Sequence, residues 1–172
     1  MTQQTTLGRL SRDGSVDTVH LERHYDASPE EIWAILVEPP HVRNWLAEMT
    51  IEPRAGGRVA FDWGGDDQDE GVIRVFEPPR LLEYTWTRSG ESVIRFELRP
   101  DGEGTLLTLD HRCTSLEQAI GVGAGWHSHL DAIEALVAGS PTTREVWTAR
   151  YRELRPAYAD QAEELGQVES RG

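Results

Sequence analysis

Apolar and polar side chains alternate from residue 16 to 25, with Val19, Leu21 and Tyr25 on one side, the period of a half-buried strand. Ser28-Pro29-Glu30-Glu31 then starts a helix: Ser28 can cap, Pro29 suits the first helical position, and Glu31 completes a capping box. Ile32, Trp33, Leu36 and Val37 form its apolar stripe. Pro39-Pro40 stops it, and a second short helix over 41–46 turns Trp45 inward. Residues 1–14, ahead of all this, are polar and aperiodic and predict a flexible arm, with room for a short edge pairing around 7–10.

Strand-like segments follow at 47–53, 58–63, 70–77, 80–87, 91–99 and 105–113. The breaks are Ala55-Gly56-Gly57, Gly64-Gly65-Asp66-Asp67, Pro78-Pro79, Ser89-Gly90 and Asp101-Gly102, all too short for parallel crossovers, so the neighbours are antiparallel. Alternation is clear in Val59/Phe61/Trp63, Leu82/Tyr84/Trp86, Ile94/Phe96/Leu98 and Leu107/Leu109/His111, while Asp62, Glu83, Arg95, Glu97 and Arg99 occupy the other face. Such a sheet needs a cover on one side. The segment over 116–138 supplies it, with Trp126, Leu130, Ile133 and Val137 at helical spacing and Gly139-Ser140-Pro141 as its stop.

A second capping box, Thr142 to Glu145, opens another helical piece carrying Trp147, Tyr151 and Leu154. Pro156 is expected to break or kink it, and the acidic stretch beyond Asp160 to fray. The order is a strand, two short helices, six strands and a long helix, an α+β pattern rather than an alternating one. The chain thus divides into an arm (1–14), one domain (15–140) and a helical extension with an acidic tail (141–172).

Composition narrows the role. With 30 acidic and 17 basic residues, every basic one an arginine, the formal charge of −13 repels nucleic-acid backbones and anionic membranes. No apolar run reaches the roughly 20 residues that span a bilayer, and the N-terminus lacks a secretory pattern, so a cytoplasmic protein without membrane insertion is expected. The single cysteine, Cys113, has no internal disulfide partner.

Helix start Ser28-Pro29-Glu30-Glu31-Ile32-Trp33, then Pro39 to Trp45, resembles the opening block of the SRPBCC (START-like, birch-pollen-allergen-like) superfamily. Gly71 through Pro78-Pro79-Arg80-Leu81-Leu82-Glu83-Tyr84-Thr85-Trp86 resembles its central block. Gly104-Thr105 to His111, and Gly125-Trp126-His127 with Leu130-Asp131, resemble its closing strand and long helix. Together they point to the subgroup named after the activator of heat-shock-protein ATPase homologue, over roughly residues 8–155. The resemblance implies a helix-grip fold, a curved antiparallel sheet of about seven strands wrapped around the long C-terminal helix, with a cavity between them. It spans lipid and hormone carriers, polyketide cyclases and antibiotic-sequestering proteins.

Within that fold Trp45, Phe61, Trp63, Tyr84, Trp86, Phe96 and Trp126 would converge, joined by Ile73, Val75 and Leu130, in a mostly apolar pocket. Tyr84, Trp86, His111 and His127 would supply its polar tips. Other motifs carry less. In His127-Ser128-His129, positions two apart on a helix diverge, so no shared metal is expected. Asp66-Asp67-Gln68-Asp69-Glu70-Gly71 echoes a calcium loop but lies between strands and reads better as a solvated hairpin tip. Gly121-Val122-Gly123-Ala124-Gly125 is not a phosphate loop, and no cofactor motif is present; these glycines would loosen the start of the long helix. Cys113 lies on the face of His111 and reads as a small buried hydrophobe.

The leading expectation is non-catalytic binding of a hydrophobic or aromatic small molecule, for sequestration, transport or sensing. One alternative is a polyketide cyclase or dehydratase using His111 or His127 as acid or base. Another is a protein-interaction or co-chaperone-like module, with Trp147, Tyr151 and Leu154 docking a partner or forming a homodimer.

Overall fold

A computed structural model of the chain describes residues 6–87 and 91–170, apart from the side chain of Glu169; the Ser89-Gly90 break lies outside the described residues. Eight strands form one antiparallel sheet: β1 (Arg9–Asp13), β2 (Val16–Tyr25), β3 (Glu48–Ile51), β4 (Arg58–Gly64), β5 (Asp67–Glu77), β6 (Leu81–Trp86), β7 (Ser92–Asp101) and β8 (Gly104–Cys113). Their order across the sheet is β1-β2-β8-β7-β6-β5-β4-β3, so the last strand pairs with the second and the chain between is a meander. Helices α1 (Pro29–Val37) and α2 (Pro39–Val42) follow β2, and α3 (Leu116–Val137) and α4 (Arg144–Glu169) follow β8. This is the α+β helix-grip arrangement.

Cross-strand partners share a face, and the inward rows can be read off the register. One row runs Val19, His111, Ile94, Tyr84, Ile73; the next runs Leu21, Leu109, Phe96, Leu82, Phe76. All are buried except Phe76, which is partly so and meets Trp33 of α1 edge to face at 5.3 Å. Between Ile73 and Val75 the register slips by a bulge, so Ile73 and Phe76 both point inward. Val75 is therefore opposite Glu83 on the outer face, and the alternation that placed it in the pocket does not survive the extra residue.

α1 has the expected capping box, Ser28 Oγ accepting from Glu31 N–H and the Glu31 carboxylate accepting from Ser28 N–H at 2.8 Å. Its companion is one turn, Pro39–Val42, shorter than the predicted 41–46. α3 is capped by Ser115 at its start and by Ala138 at its end, followed by Gly139 at φ 77°.

Both ends of the chain differ from expectation. Within the predicted arm, Arg9–Asp13 is an edge strand paired with β2 along its whole length. Leu10 is its buried anchor, too little alternation to register as a pattern. At the other end, α4 passes through Pro156 and continues to Glu169. Pro156 is exposed, and beyond it Tyr158 and Ala162 are buried, so packing holds the turns that proline weakens. Tyr158 Oη accepts from Gly8 N–H at 2.8 Å and pairs with His127 Nδ1 at 2.9 Å, while Gln161 bonds Gly8 and Leu10. α4 thereby ties β1 to α3. Its predicted Thr142–Glu145 capping box does not form: Thr143 is the N-cap, its side chain making no capping bond to the backbone, and Thr142 Oγ1 accepts from the Trp147 indole.

Candidate functional site

A cavity of about 720 Å³ opens between the sheet, α3 and α4. Trp63 of β4, Trp86 of β6 and His111 of β8 form its floor. Gly121, Val122, Gly125, Trp126 and His129 of α3 form one wall, and Trp147, Thr148 and Tyr151 of α4 another. Its size lies in the range of small-molecule sites, about 300–1,000 Å³.

Two features of α3 leave this space open. A Cβ on Gly125 would meet no atom within 4 Å, and one on Gly121 would meet only the Tyr151 hydroxyl at 3.9 Å. These glycines sit one turn apart on the cavity face, where ordinary side chains would fill the hollow. Gly123, on the other face, is different: a Cβ there would lie 2.8 Å from Tyr158, so that glycine is needed for the close approach of α3 and α4.

The aromatic side chains form two rows. Trp126 stands edge-on between Trp86 (5.4 Å, 89°) and Phe96 (5.7 Å, 89°). Phe61 stacks on Trp86 at 5.0 Å, and Tyr84 lies 5.9 Å from Phe61. Of the twelve residues expected in the pocket, Trp63, Trp86, His111 and Trp126 reach its surface. Phe61, Tyr84, Phe96, Ile73 and Leu130 are buried behind them as support. Trp45 is core as well, its indole N–H donating to Ile35 O at 2.8 Å. Val75 is outside, and His127 lies on the far side of α3 against Tyr158.

His111 is held at both nitrogens. Nδ1 accepts from the Trp126 indole at 2.9 Å, which leaves the proton on Nε2, 2.8 Å from Ser92 Oγ; that hydroxyl donates to Trp86 O. Burial pushes its pKa down to about 3, so the ring is a neutral link between β8 and α3. Burial, with Arg23 and Arg150 adding to it, also lowers His127 to about 3. Cys113 is pushed up to about 12 by burial and the neighbouring Asp17, a protonated thiol rather than a nucleophile.

His129 is the residue the sequence reading missed. Its Nδ1 lies 2.6 Å from Trp45 O, its ring is surrounded by Trp126, Trp147 and Trp63, and it lines the cavity. Nε2 has no partner among the described residues. Helix phase was the available signal: three positions beyond Trp126 returns to within about 60° of the same face, whereas His127 is turned by about 100°.

Charged groups ring the mouth. Arg155 donates to Glu117 at 2.8 Å, joining α4 to the first turn of α3, and Arg144 donates to Trp63 O. Ser128 Oγ donates to Trp147 O at 2.7 Å, and Trp147 and Leu154 are buried. Trp147 and Tyr151 of the stripe thus line the cavity, and Leu154 packs into the core.

A family model described as Activator of Hsp90 ATPase homolog 1-like protein matches residues 26–138, well over half the chain. The chain belongs to this family. The match covers α1 through the end of α3 and leaves out β1, β2 and α4. Among solved structures, CalU16 from Micromonospora echinospora is similar, with a TM-score of 0.76 and 28% identity over 93% of this chain and 99% of that one. MLL2253 from Mesorhizobium loti has a TM-score of 0.64 and 28% identity over 73% of this chain and 99% of that one. DynU16, described as a protein in the dynemicin biosynthetic locus, shares the fold at a TM-score of 0.66 and 23% identity, over 72% of this chain and 48% of that one. No curated protein matches. No helix among the described residues is long and apolar enough to cross a membrane.

Proposed function

We propose that this protein binds a hydrophobic or aromatic small molecule in the cavity between the sheet, α3 and α4, holding it without chemical change. The observation that carries this reading is the roughly 720 Å³ hollow floored by Trp63 and Trp86 and walled by Trp126, against a helix face kept open by Gly121 and Gly125. Apolar area removed from water gives about 25 cal/mol per Å², so flat indole surfaces alone provide a driving force. The family and fold are in keeping with a ligand-binding or polyketide-cyclase-like module. On this reading the protein acts in the cytosol, in sequestration, transport or sensing.

One observation favours a catalytic variant: the unpartnered Nε2 of His129 could take a proton from a bound substrate. Against it, His111 is committed at both nitrogens, and Arg155 and Glu117 at the mouth neutralise each other.

Native mass spectrometry of the protein purified from its own host tests the proposal. A retained small molecule is expected, lost in Gly125→Leu, which fills the cavity. An unchanged retained molecule in that variant contradicts the location, and a reaction product accumulating with turnover favours the catalytic variant.

A further inference from the structure

We infer that the ligand carries a hydroxyl on a flat aromatic body and donates it to Nε2 of His129. This rests on the binding proposal above and specifies what the cavity selects.

The geometry fixes the tautomer. Trp45 O is a carbonyl and can only accept, so the 2.6 Å contact places the proton of His129 on Nδ1. Nε2 then presents a lone pair. Burial, together with the Arg144 guanidinium, holds the ring neutral down to about pH 4, so this lone pair is present at neutral pH.

The surroundings define the partner. The His129 ring lies 5.8 Å from Trp147, 6.1 Å from Trp126 and 6.4 Å from Trp63, so a donor arriving there sits among indole rings. A carboxylate would meet the lone pair with one of its own. Of the charged groups on the lining, which include Asp67 and Glu117, Arg144 is the one whose charge acts on the His129 ring, so a cationic amine arriving there would be repelled. A neutral hydroxyl on an aromatic ring satisfies both conditions, and the ring bearing it stacks on the floor. Two other polar groups of the lining are paired within the protein: Nδ1 of His111 takes the Trp126 indole and Arg155 takes Glu117. Nε2 of His129 is a lone-pair acceptor on the cavity wall that the protein leaves for the guest to pair.

The test compares 1-naphthol with its methyl ether, 1-methoxynaphthalene, by quenching of tryptophan emission on the full chain and on His129→Asn. The asparagine amide can still donate towards Trp45 O but offers nothing at the Nε2 position. In the unaltered protein 1-naphthol is expected to bind about five- to tenfold more tightly than the ether, and in His129→Asn the two are expected to converge. Equal affinity for both in the unaltered protein, or a preference that persists in His129→Asn, overturns the hydroxyl assignment while leaving the cavity proposal standing. Binding of neither probe counts against both. Should the variant fail to fold, nitrogen NMR of His129 decides: Nε2 is expected to shift on adding 1-naphthol and not the ether, and an unmoved Nε2 overturns the inference.

Discussion

The indole N–H of Trp126 donates to Nδ1 of His111 at 2.9 Å, fastening the middle of α3 to β8 at the floor of the cavity. Both side chains are almost fully buried, so this is a structural joint as well as part of the lining. Trp126→Phe keeps most of the apolar volume but leaves Nδ1 without a donor. A loss of about 1–3 kcal/mol in unfolding free energy is expected from urea denaturation. An unchanged midpoint would mean that the joint holds nothing together.

The two faces of α3 respond oppositely to the same small change. Gly125→Ala adds a methyl group into open space and removes a helix glycine, so a gain of up to about 1 kcal/mol is expected. Gly123→Ala drives a methyl group into Tyr158, whose ring is fixed by Gly8 and His127, and a net loss is expected. Thermal denaturation of the two variants separates them, and equal shifts would contradict the division of faces.

Much of this was legible beforehand because the sheet announces itself. Leu82, Tyr84 and Trp86, and Ile94, Phe96 and Leu98, alternate cleanly, and their neighbours across the strands carry the pattern from β6 to β8. The bulge after Ile73 was not legible: Arg74 is neither glycine nor proline, and the slip arises from how β5 pairs with β6. The continuation of α4 beyond Pro156 was hidden for a related reason, since long-range packing of Tyr158 under Gly8 outweighs a local helix breaker. The site was half legible. Aromatic residues on the inward face were found, but which of them are surface and which support depends on how deep α3 and α4 sit, and that is a tertiary distance no periodicity encodes.

Stability is expected to fall in mild acid. His111, His127 and His129 stay neutral in the folded protein down to about 3, 3 and 4 respectively, against about 6.5 when unfolded. Between those values the unfolded chain binds protons that the folded chain does not. Their contribution is therefore complete above about pH 6.5 and is lost progressively as pH falls towards 3. Urea midpoints at about pH 7.5 and about pH 5 check this: a lower midpoint in acid is expected, and an equal or higher one would contradict the burial of these rings.

The claim on which the rest depends is that the hollow beside Trp86 and Trp126 takes a guest. Titration with naphthalene, followed by tryptophan emission in the unaltered chain and in Gly125→Leu, measures it most directly. Saturable quenching in the unaltered protein, abolished in a Gly125→Leu variant that still unfolds cooperatively, is the expected result. No saturable change, or the same curve from both proteins, would contradict it.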